Sequence, residues 1–187
     1  GIEVRLFRIS FSGEQGYELA VPARYGESLF RDLLARAETL DGGPYGMEAL
    51  NVLRIEKGFV THAEIHGRVT AAKKDCIGKG AATRPGLIGA ARDQLVGLRP
   101  VMAGEISAGA HLFAAKDAAN RVNDQGYVTS VCYSPTLHSH IGLGFLRDGR
   151  ARWGETVRLV DHLRGIERLC EVCNPVFHDQ DGGKLRG

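Results

Sequence analysis

Short strand-like segments, separated by turn residues at regular intervals, fill the second half of the sequence and constrain its fold more than any other feature. Within 126–133 the side chains alternate, with Tyr127, Thr129 and Val131 on one face. The Gly, Pro and Asp residues between segments are typical of turns. Many short strands with such turns predict a small antiparallel β-barrel. The six predicted strands span 94–99, 110–115, 126–133, 140–146, 155–160 and 166–172.

The first half of the chain has helical periodicity. Tyr25, Leu29 and Leu33 recur at four-residue intervals and predict an amphipathic helix over 24–37. Periodicity is then lost from Phe59 to about Pro85. A helical first half followed by many short strands predicts an α+β fold.

A second predicted helix begins at Tyr45 or Met47 and ends at Lys57, with Gly58 in the C-cap position. Arg54 falls at the edge of its apolar side. Glu56 and Lys57 are interpreted as a solvated helix end.

A hairpin is predicted over Ser10–Pro22, with a strand from Glu3 to Phe11 before it. The turn is Ser12–Gly16, whose two glycines permit positive φ. The returning strand carries one carboxylate, Glu18, among mainly apolar residues. From the residues alone, a solvated side chain on an amphipathic strand is the favoured interpretation of Glu18, because Glu is rarely buried without a partner.

Length and charge exclude several classes of protein. The 187 residues suit one large domain or two small ones. A net charge of +2, with basic residues scattered among acids, does not favour a nucleic-acid partner. No apolar run is long enough to cross a membrane, and no signal peptide is present. The chain begins with Gly1 and is interpreted as a piece of a longer protein. Four cysteines without a secretory signal favour reduced thiols and a cytoplasmic location.

Three short motifs suggest chemistry that the rest of the sequence does not support. Cys170-x-x-Cys173 lacks the second pair that a zinc site needs, so a structural role is favoured. His138 and His140 lack a third ligand and are interpreted as loop histidines. The stretch 78–80 (Gly-Lys-Gly) is too short for a phosphate loop, and no dinucleotide fingerprint is present.

Several motifs together resemble the aminomethyltransferase (glycine-cleavage T-protein) family. They are F-S-G-E-Q-G-Y-E at 11–18 and L-R-I-E-K-G at 53–58. Further motifs are closer to one branch of that family, the α subunits of heterotetrameric sarcosine oxidases. These motifs lie at 74–79, 126–130, 133–137, 154–157 and 174–177.

The resemblance implies a partial folate-binding domain over 1–72. The loss of periodicity and the polar, glycine-rich composition that follow predict a linker over 73–93, and the short strands predict a C-terminal antiparallel barrel over 94–187. The resemblance also implies that tetrahydrofolate is bound by Glu18, Arg54 and Phe11, with Glu18 accepting two donors of the pterin ring. The family usually has Tyr where this chain has Phe11. The family's catalytic aspartate lies in a preceding portion outside this chain, so no catalytic residue is assigned and the pocket is expected to be incomplete.

Two further departures from the family pattern stand out. Thr70-Ala71-Ala72 runs straight into Lys73, where relatives have about ten more residues by usual element lengths. We therefore expect a loop to be missing between Ala72 and Lys73. His178 stands where relatives often have Tyr, so the resemblance assigns it no role.

The resemblance implies part of an oxidoreductase that oxidises sarcosine at a flavin in a partner subunit and binds NAD upstream of this region. This region would receive the one-carbon unit on tetrahydrofolate. Two alternatives stay open: a folate-binding module without turnover, and an aminomethyltransferase acting on a lipoyl carrier protein. The stretch 57–60 (K-G-F-V) lacks the cysteine of the family's folate-binding assembly proteins, which disfavours the first alternative.

Overall fold

A computed structural model describes residues 1–64, 77–89 and 92–187 of the chain. These residues form two compact units, one made of 1–54 with 181–187 and the other of 55–180. Helix α2 contains the division between them. None of the helices in the described ranges is both long and apolar enough to cross a membrane.

The first unit contains an antiparallel strand pair and two helices. Strand β1 (Arg5–Phe7) pairs with β2 (Glu18–Ala20), and Phe7 lies opposite Glu18. Helix α1 (Gly26–Glu38) follows one turn of 3-10 helix, and α2 (Met47–Glu56) comes next. Both predicted helices are confirmed.

The hairpin prediction is only partly right, because the connection between β1 and β2 runs from 8 to 17 and is longer than the predicted turn. Within this connection Ser10 Oγ accepts a hydrogen bond of 3.1 Å from Gly13 N, which closes a local turn that contains Phe11. Gly13 has φ 88°, as predicted, whereas Gly16 has no positive φ. At Gly16 the reason for glycine is a close approach, since a Cβ would lie 3.1 Å from the Ile9 carbonyl oxygen.

Apolar side chains of the first unit stay exposed. Leu6 is 62% exposed, Phe7 48% and Leu33 42%, although the helical pattern predicts that Leu33 is buried. Gly13 and Arg54 are the buried residues of 1–54. Residues 1–54 therefore have no hydrophobic core of their own.

The second unit is built on a closed antiparallel barrel with strand order β3-β6-β5-β4-β7-β8, in which β3 also pairs with β8. All six predicted strands are confirmed, and each boundary lies within one residue of its prediction. The strands are β3 (Asp93–Pro100), β4 (His111–Ala114), β5 (Gly126–Ser134), β6 (Ser139–Arg147), β7 (Thr156–Asp161) and β8 (Ile166–Cys173).

The core of the barrel is formed by alternate apolar side chains from its strands. Val96, Leu98, Leu112, Val128 and Leu159 are at most 1% exposed and belong to one cluster. Strand β5 carries a bulge between Val128 and Ser130, where its register against β6 shifts. The bulge inserts an extra residue into β5. It lies next to Ser130, which contacts the buried carboxylate of Glu64.

The end of helix α2 is buried, which corrects the prediction of a solvated terminus. Glu56 is 3% exposed and Lys57 7% exposed. Ser134 Oγ donates to Glu56 Oε1 at 2.6 Å, and Lys57 Nζ lies 2.6 Å from Asp179 Oδ2. The partners are far away in sequence, so local helix rules could not reveal them.

Two features favour glycine at position 58, directly after this helix. Its φ is +71°, a conformation that glycine adopts at little cost. A Cβ at this position would lie 2.5 Å from the carbonyl oxygen of Pro175. The predicted C-cap role of Gly58 is therefore accompanied by a close backbone approach.

The segment predicted as a linker, 73–93, is described only in part. Two single-turn helices occupy it, α3 (Lys79–Ala82) and α4 (Pro85–Ile88). The junction of Ala72 and Lys73 lies outside the described residues. The predicted domain limits stay predictions.

Candidate functional site

Glu18 is the first residue of β2 and lies on the short antiparallel pair of the first unit. Its side chain is exposed. Within residues 1–64, 77–89 and 92–187, no hydrogen bond or ion pair of the Glu18 carboxylate is described. This carboxylate could accept hydrogen bonds from a ligand with two adjacent donors.

Phe11 lies in the 8–17 connection that leads into β2. Its side chain is 39% exposed. Two side-chain contacts order the connection around it. Ser10 binds Gly13 N, and Gln15 Nε2 donates to the Tyr17 hydroxyl at 3.0 Å.

Arg54 differs from the other two predicted site residues because it is only 4% exposed. Its Nε donates to Asn51 Oδ1 at 2.9 Å, one turn earlier on α2. This bond fixes the plane of the guanidinium, which presents several donors in a rigid geometry. Arg54 therefore supplies an oriented positive charge near the end of the helix.

The three predicted residues share the first unit but line neither of the two cavities described in it. One cavity, of about 290 Å³, is lined by Glu3, Arg5, Ala20, Val21 and Pro22. The other, of about 140 Å³, is lined by Arg8, Ile9, Ser10, Gly16 and Leu185. Both of these cavities are open to solvent.

Glu64 is a buried carboxylate that the sequence analysis missed. It is fully buried and accepts hydrogen bonds from Ser130 Oγ at 2.6 Å and from Thr61 N at 2.7 Å. Burial raises the pKa of Glu64, but hydrogen bonds from Ser130 and Thr61 outweigh burial and hold the pKa below its usual value. The spacing Thr61-x-x-Glu64 matches a capping box and is the signal that could have revealed it.

Asp161 forms a second buried carboxylate cluster, at the turn between β7 and β8. Its Oδ2 accepts hydrogen bonds from Arg164 Nη1 and from Ser107 Oγ, both at 2.8 Å. Hydrogen bonds from Arg164 and then Ser107 hold the pKa of Asp161 well below its usual value. The backbone N–H groups of Leu163 and Arg164 also donate to this side chain, which identifies its role as closing the turn.

Cys170 and Cys173 do not act as a pair. Cys170 packs in the main core cluster of the barrel, whereas Cys173 packs against a different cluster that includes Phe177. Burial raises the pKa of Cys170 to about 12 and that of Cys173 to about 11. Because the thiolate is the nucleophile and the metal ligand, these thiols are poorly suited to either role.

The predicted histidines also occupy structural positions. His138 lies in the β5–β6 turn with φ 51°, and the His140 ring meets the Tyr133 ring edge-on at 5.3 Å. Within the described ranges, no group of three or more His, Cys, Asp or Glu side chains is arranged to hold a metal ion. The backbone N–H of His178 donates to the Glu56 carbonyl oxygen at 3.0 Å, so this position helps to fix the end of α2.

Two family descriptions match the chain in order. Residues 1–75 match the GCVT N-terminal domain, and residues 94–179 match the glycine cleavage T-protein C-terminal barrel domain. The second range contains the six barrel strands except for Asp93.

The chain is similar to two kinds of enzyme. It is 46% identical over 192 residues to the sarcosine oxidase subunit alpha of Rhizobium meliloti (strain 1021), covering 96% of this chain and 20% of the relative. Identity to the sarcosine oxidase subunit alpha of Corynebacterium sp. (strain P-1) is 34% over 201 residues, which cover 100% of this chain and 21% of the relative. Identity to the aminomethyltransferase of Mycobacterium tuberculosis (strain ATCC 25618 / H37Rv) is 30% over 189 residues, which cover 95% of this chain and 49% of the relative.

A solved structure supports the fold. The glycine cleavage system aminomethyltransferase T from Bartonella henselae matches with a TM-score of 0.66 at 24% identity, covering 95% of this chain and 50% of that one. The chain therefore spans about half the length of the aminomethyltransferases and about one fifth of the sarcosine oxidase alpha subunits that it matches. The predicted α+β fold, with a T-protein-like domain followed by an antiparallel barrel, is confirmed, and the chain belongs to the glycine cleavage T-protein family.

Proposed function

We propose that this chain is part of a sarcosine oxidase alpha subunit and forms a region that binds tetrahydrofolate. The observation that carries the proposal is the difference in sequence identity between this chain and two kinds of relative. The chain is 46% identical to a sarcosine oxidase subunit alpha across nearly its whole length, against 30% for an aminomethyltransferase. The motifs of the barrel strands favour the same branch.

Glu18 is the proposed partner of the pterin ring. The ring offers an N–H and an amino group side by side, and one carboxylate can accept both in a bidentate pair. The exposure of Glu18 supports this role, because a ligand can reach its carboxylate from solvent. Glu18 would orient the folate and would not transfer a proton.

Arg54 and Phe11 would complete the contacts that this chain supplies. The Arg54 guanidinium, oriented by Asn51, presents a fixed positive charge toward a ligand that carries carboxylates. The exposed ring of Phe11 offers an apolar face against which a flat ring can pack. The described cavities of the first unit enclose none of these residues, so we expect this stretch of chain alone to be inactive.

The proposed role of the region is to receive a one-carbon unit. In the complete protein, sarcosine would be oxidised to glycine at a flavin in a partner subunit, and an NAD site would lie outside this chain. Bound tetrahydrofolate supplies the nitrogen atoms that capture the released carbon. The residues of this chain would hold the folate in place, so that the folate reacts with the one-carbon product before that product diffuses out of the protein. The complex would be cytoplasmic.

Two other functions remain as alternatives. An aminomethyltransferase would share the folate contacts but would act on an aminomethylated lipoyl carrier. A folate-binding module without turnover would bind folate and leave sarcosine unchanged. The higher identity to sarcosine oxidase subunits disfavours both.

The distinguishing experiment uses the complete protein with its partner subunits. Sarcosine labelled with carbon-13 in its methyl group is supplied with tetrahydrofolate, while oxygen consumption and the label are followed. The proposal predicts oxygen consumption and transfer of the label to folate. Activity toward a lipoyl carrier without sarcosine oxidation would support the aminomethyltransferase alternative, and release of all label as formaldehyde would contradict the receiving role.

A further inference from the structure

The last seven residues of the sequence belong to the first unit, although they follow the barrel along the chain. This terminal segment, 181–187, contains the single-turn helix α5 (Gly183–Arg186). Leu185 in it lines a cavity of about 140 Å³ together with Ile9, Ser10 and Gly16. The terminal segment therefore packs against the 8–17 connection between β1 and β2.

Two polar contacts hold the terminal segment to this connection. Arg8 Nη2 donates to the Arg186 carbonyl oxygen at 3.1 Å. Lys184 Nζ lies 3.1 Å from Glu14 Oε1. Arg8 precedes Phe11 in the sequence and Glu14 follows it, so the contacts lie on both sides of the proposed folate-packing residue.

A third approach lies near β2. The Gly187 backbone is so close to Gln15 that a Cβ on it would lie 2.5 Å from Gln15 Oε1. Gln15 in turn donates to the hydroxyl of Tyr17, the residue before Glu18. The terminal segment is ordered internally as well, because Arg186 Nη1 donates to the Asp181 carbonyl oxygen at 3.1 Å.

We propose that the terminal segment is a positioning strap that holds the 8–17 connection, and with it Phe11, in the arrangement needed to bind a flat, anionic ring ligand. The inference rests on the proposed folate site and adds the residues that order it. A ten-residue connection outside the strands would lose much conformational freedom when a ligand binds if nothing held it beforehand. Contacts that order it beforehand reduce that loss and strengthen binding.

The test reverses one charge of the strap in the complete protein. Lys184→Glu places two carboxylates together, so hydrogen exchange of the 8–17 amides should become faster in the absence of ligand. The dissociation constant for folinic acid should rise about two- to fivefold, because an exposed ion pair contributes modestly. The exchanged pair Glu14→Lys with Lys184→Glu should restore both values. Lys116→Glu, at an exposed position of the barrel unit, is the matched control and should change neither.

The outcomes distinguish failure of the proposed strap from failure of the proposed folate site. Unchanged exchange of 8–17 in Lys184→Glu would overturn the strap. Faster exchange with unchanged folinic acid affinity would overturn its positioning role, provided that Glu18→Gln weakens binding. If the wild-type protein does not bind folinic acid, the proposed function fails, and the exchange measurement still decides whether the strap exists.

Discussion

Ser130 donates a 2.6 Å hydrogen bond to the fully buried carboxylate of Glu64, directly after the bulge of strand β5. The bond ties the chain that follows helix α2 to the barrel. Thr61 donates to the same carboxylate from its backbone and its hydroxyl. This cluster is one of the contacts that join the residues after helix α2 to the barrel within the second unit.

Ser130→Ala should destabilise the second unit by about 1–3 kcal/mol, because it removes a hydrogen bond to a buried carboxylate. Urea unfolding followed by circular dichroism measures the change. Ser139→Ala is the control, since the described bond of that hydroxyl goes to the adjacent His140 carbonyl. Equal stability of the two variants would show that the Glu64 contact contributes nothing.

The stability of the second unit should fall in acid. The folded-state pKa values of Glu64 and Asp161 lie below their usual values. A carboxylate of this kind stabilises the fold above its unfolded pKa and loses that contribution as pH falls through the folded pKa. We therefore expect the urea midpoint to decrease below about pH 4.5, the usual range of Glu.

Glu64→Gln and Asp161→Asn test which groups cause this loss. Each variant should be less stable at neutral pH and should show a shallower decrease in acid, because one titrating group is absent. Urea midpoints measured across the same pH range give the comparison. A decrease as steep in both variants as in the wild type would assign the acid sensitivity to other carboxylates.

Asp179→Ala should be strongly destabilising, by about 3 kcal/mol, because it removes the carboxylate that pairs with the buried ammonium of Lys57 and leaves the backbone carbonyl of residue 179 as its described acceptor. The Lys57 side chain is 7% exposed and that of Asp179 14% exposed. Replacing both, as Lys57→Met with Asp179→Leu, should recover part of the loss, since neither member of the pair is then charged. A double-mutant cycle in urea measures the coupling. Additive effects would contradict a direct interaction.

Cys170 should resist alkylation in the folded protein. Burial raises the pKa of its thiol to about 12, so very little thiolate exists near neutral pH. Iodoacetamide labelling followed by mass spectrometry should show an unmodified Cys170 in native protein and a modified one in urea. Equal labelling rates in both conditions would contradict the buried position.

The barrel could be predicted from the sequence because its signals are local. Alternation along each strand and Gly, Pro or Asp in the turns depend on neighbouring residues, and every predicted strand was confirmed. The roles of Glu56 and Lys57 could not be predicted in this way. Their partners, Ser134 and Asp179, are far away along the chain, and only the folded barrel brings them together.

The candidate site was less predictable than the fold. From local pattern, Glu18 looked like an ordinary solvated residue, and its exposure in the structure agrees with that description. Its proposed role comes from the family to which the chain belongs. The 8–17 connection contains a turn closed by the Ser10 side chain, and such side-chain to backbone bonds compete with strand pairing in a way that alternation does not reveal.

The most direct test of the central claim is the affinity of the complete protein for folinic acid with and without the Glu18 carboxylate. Glu18→Gln should raise the dissociation constant about tenfold to a hundredfold, since charged hydrogen bonds contribute about 1.5–3 kcal/mol. Glu48→Gln, an exposed position in the first turn of α2, is the control and should bind like the wild type. Isothermal titration calorimetry that finds equal affinity in wild type and Glu18→Gln would contradict the assignment of Glu18 as the pterin-binding residue.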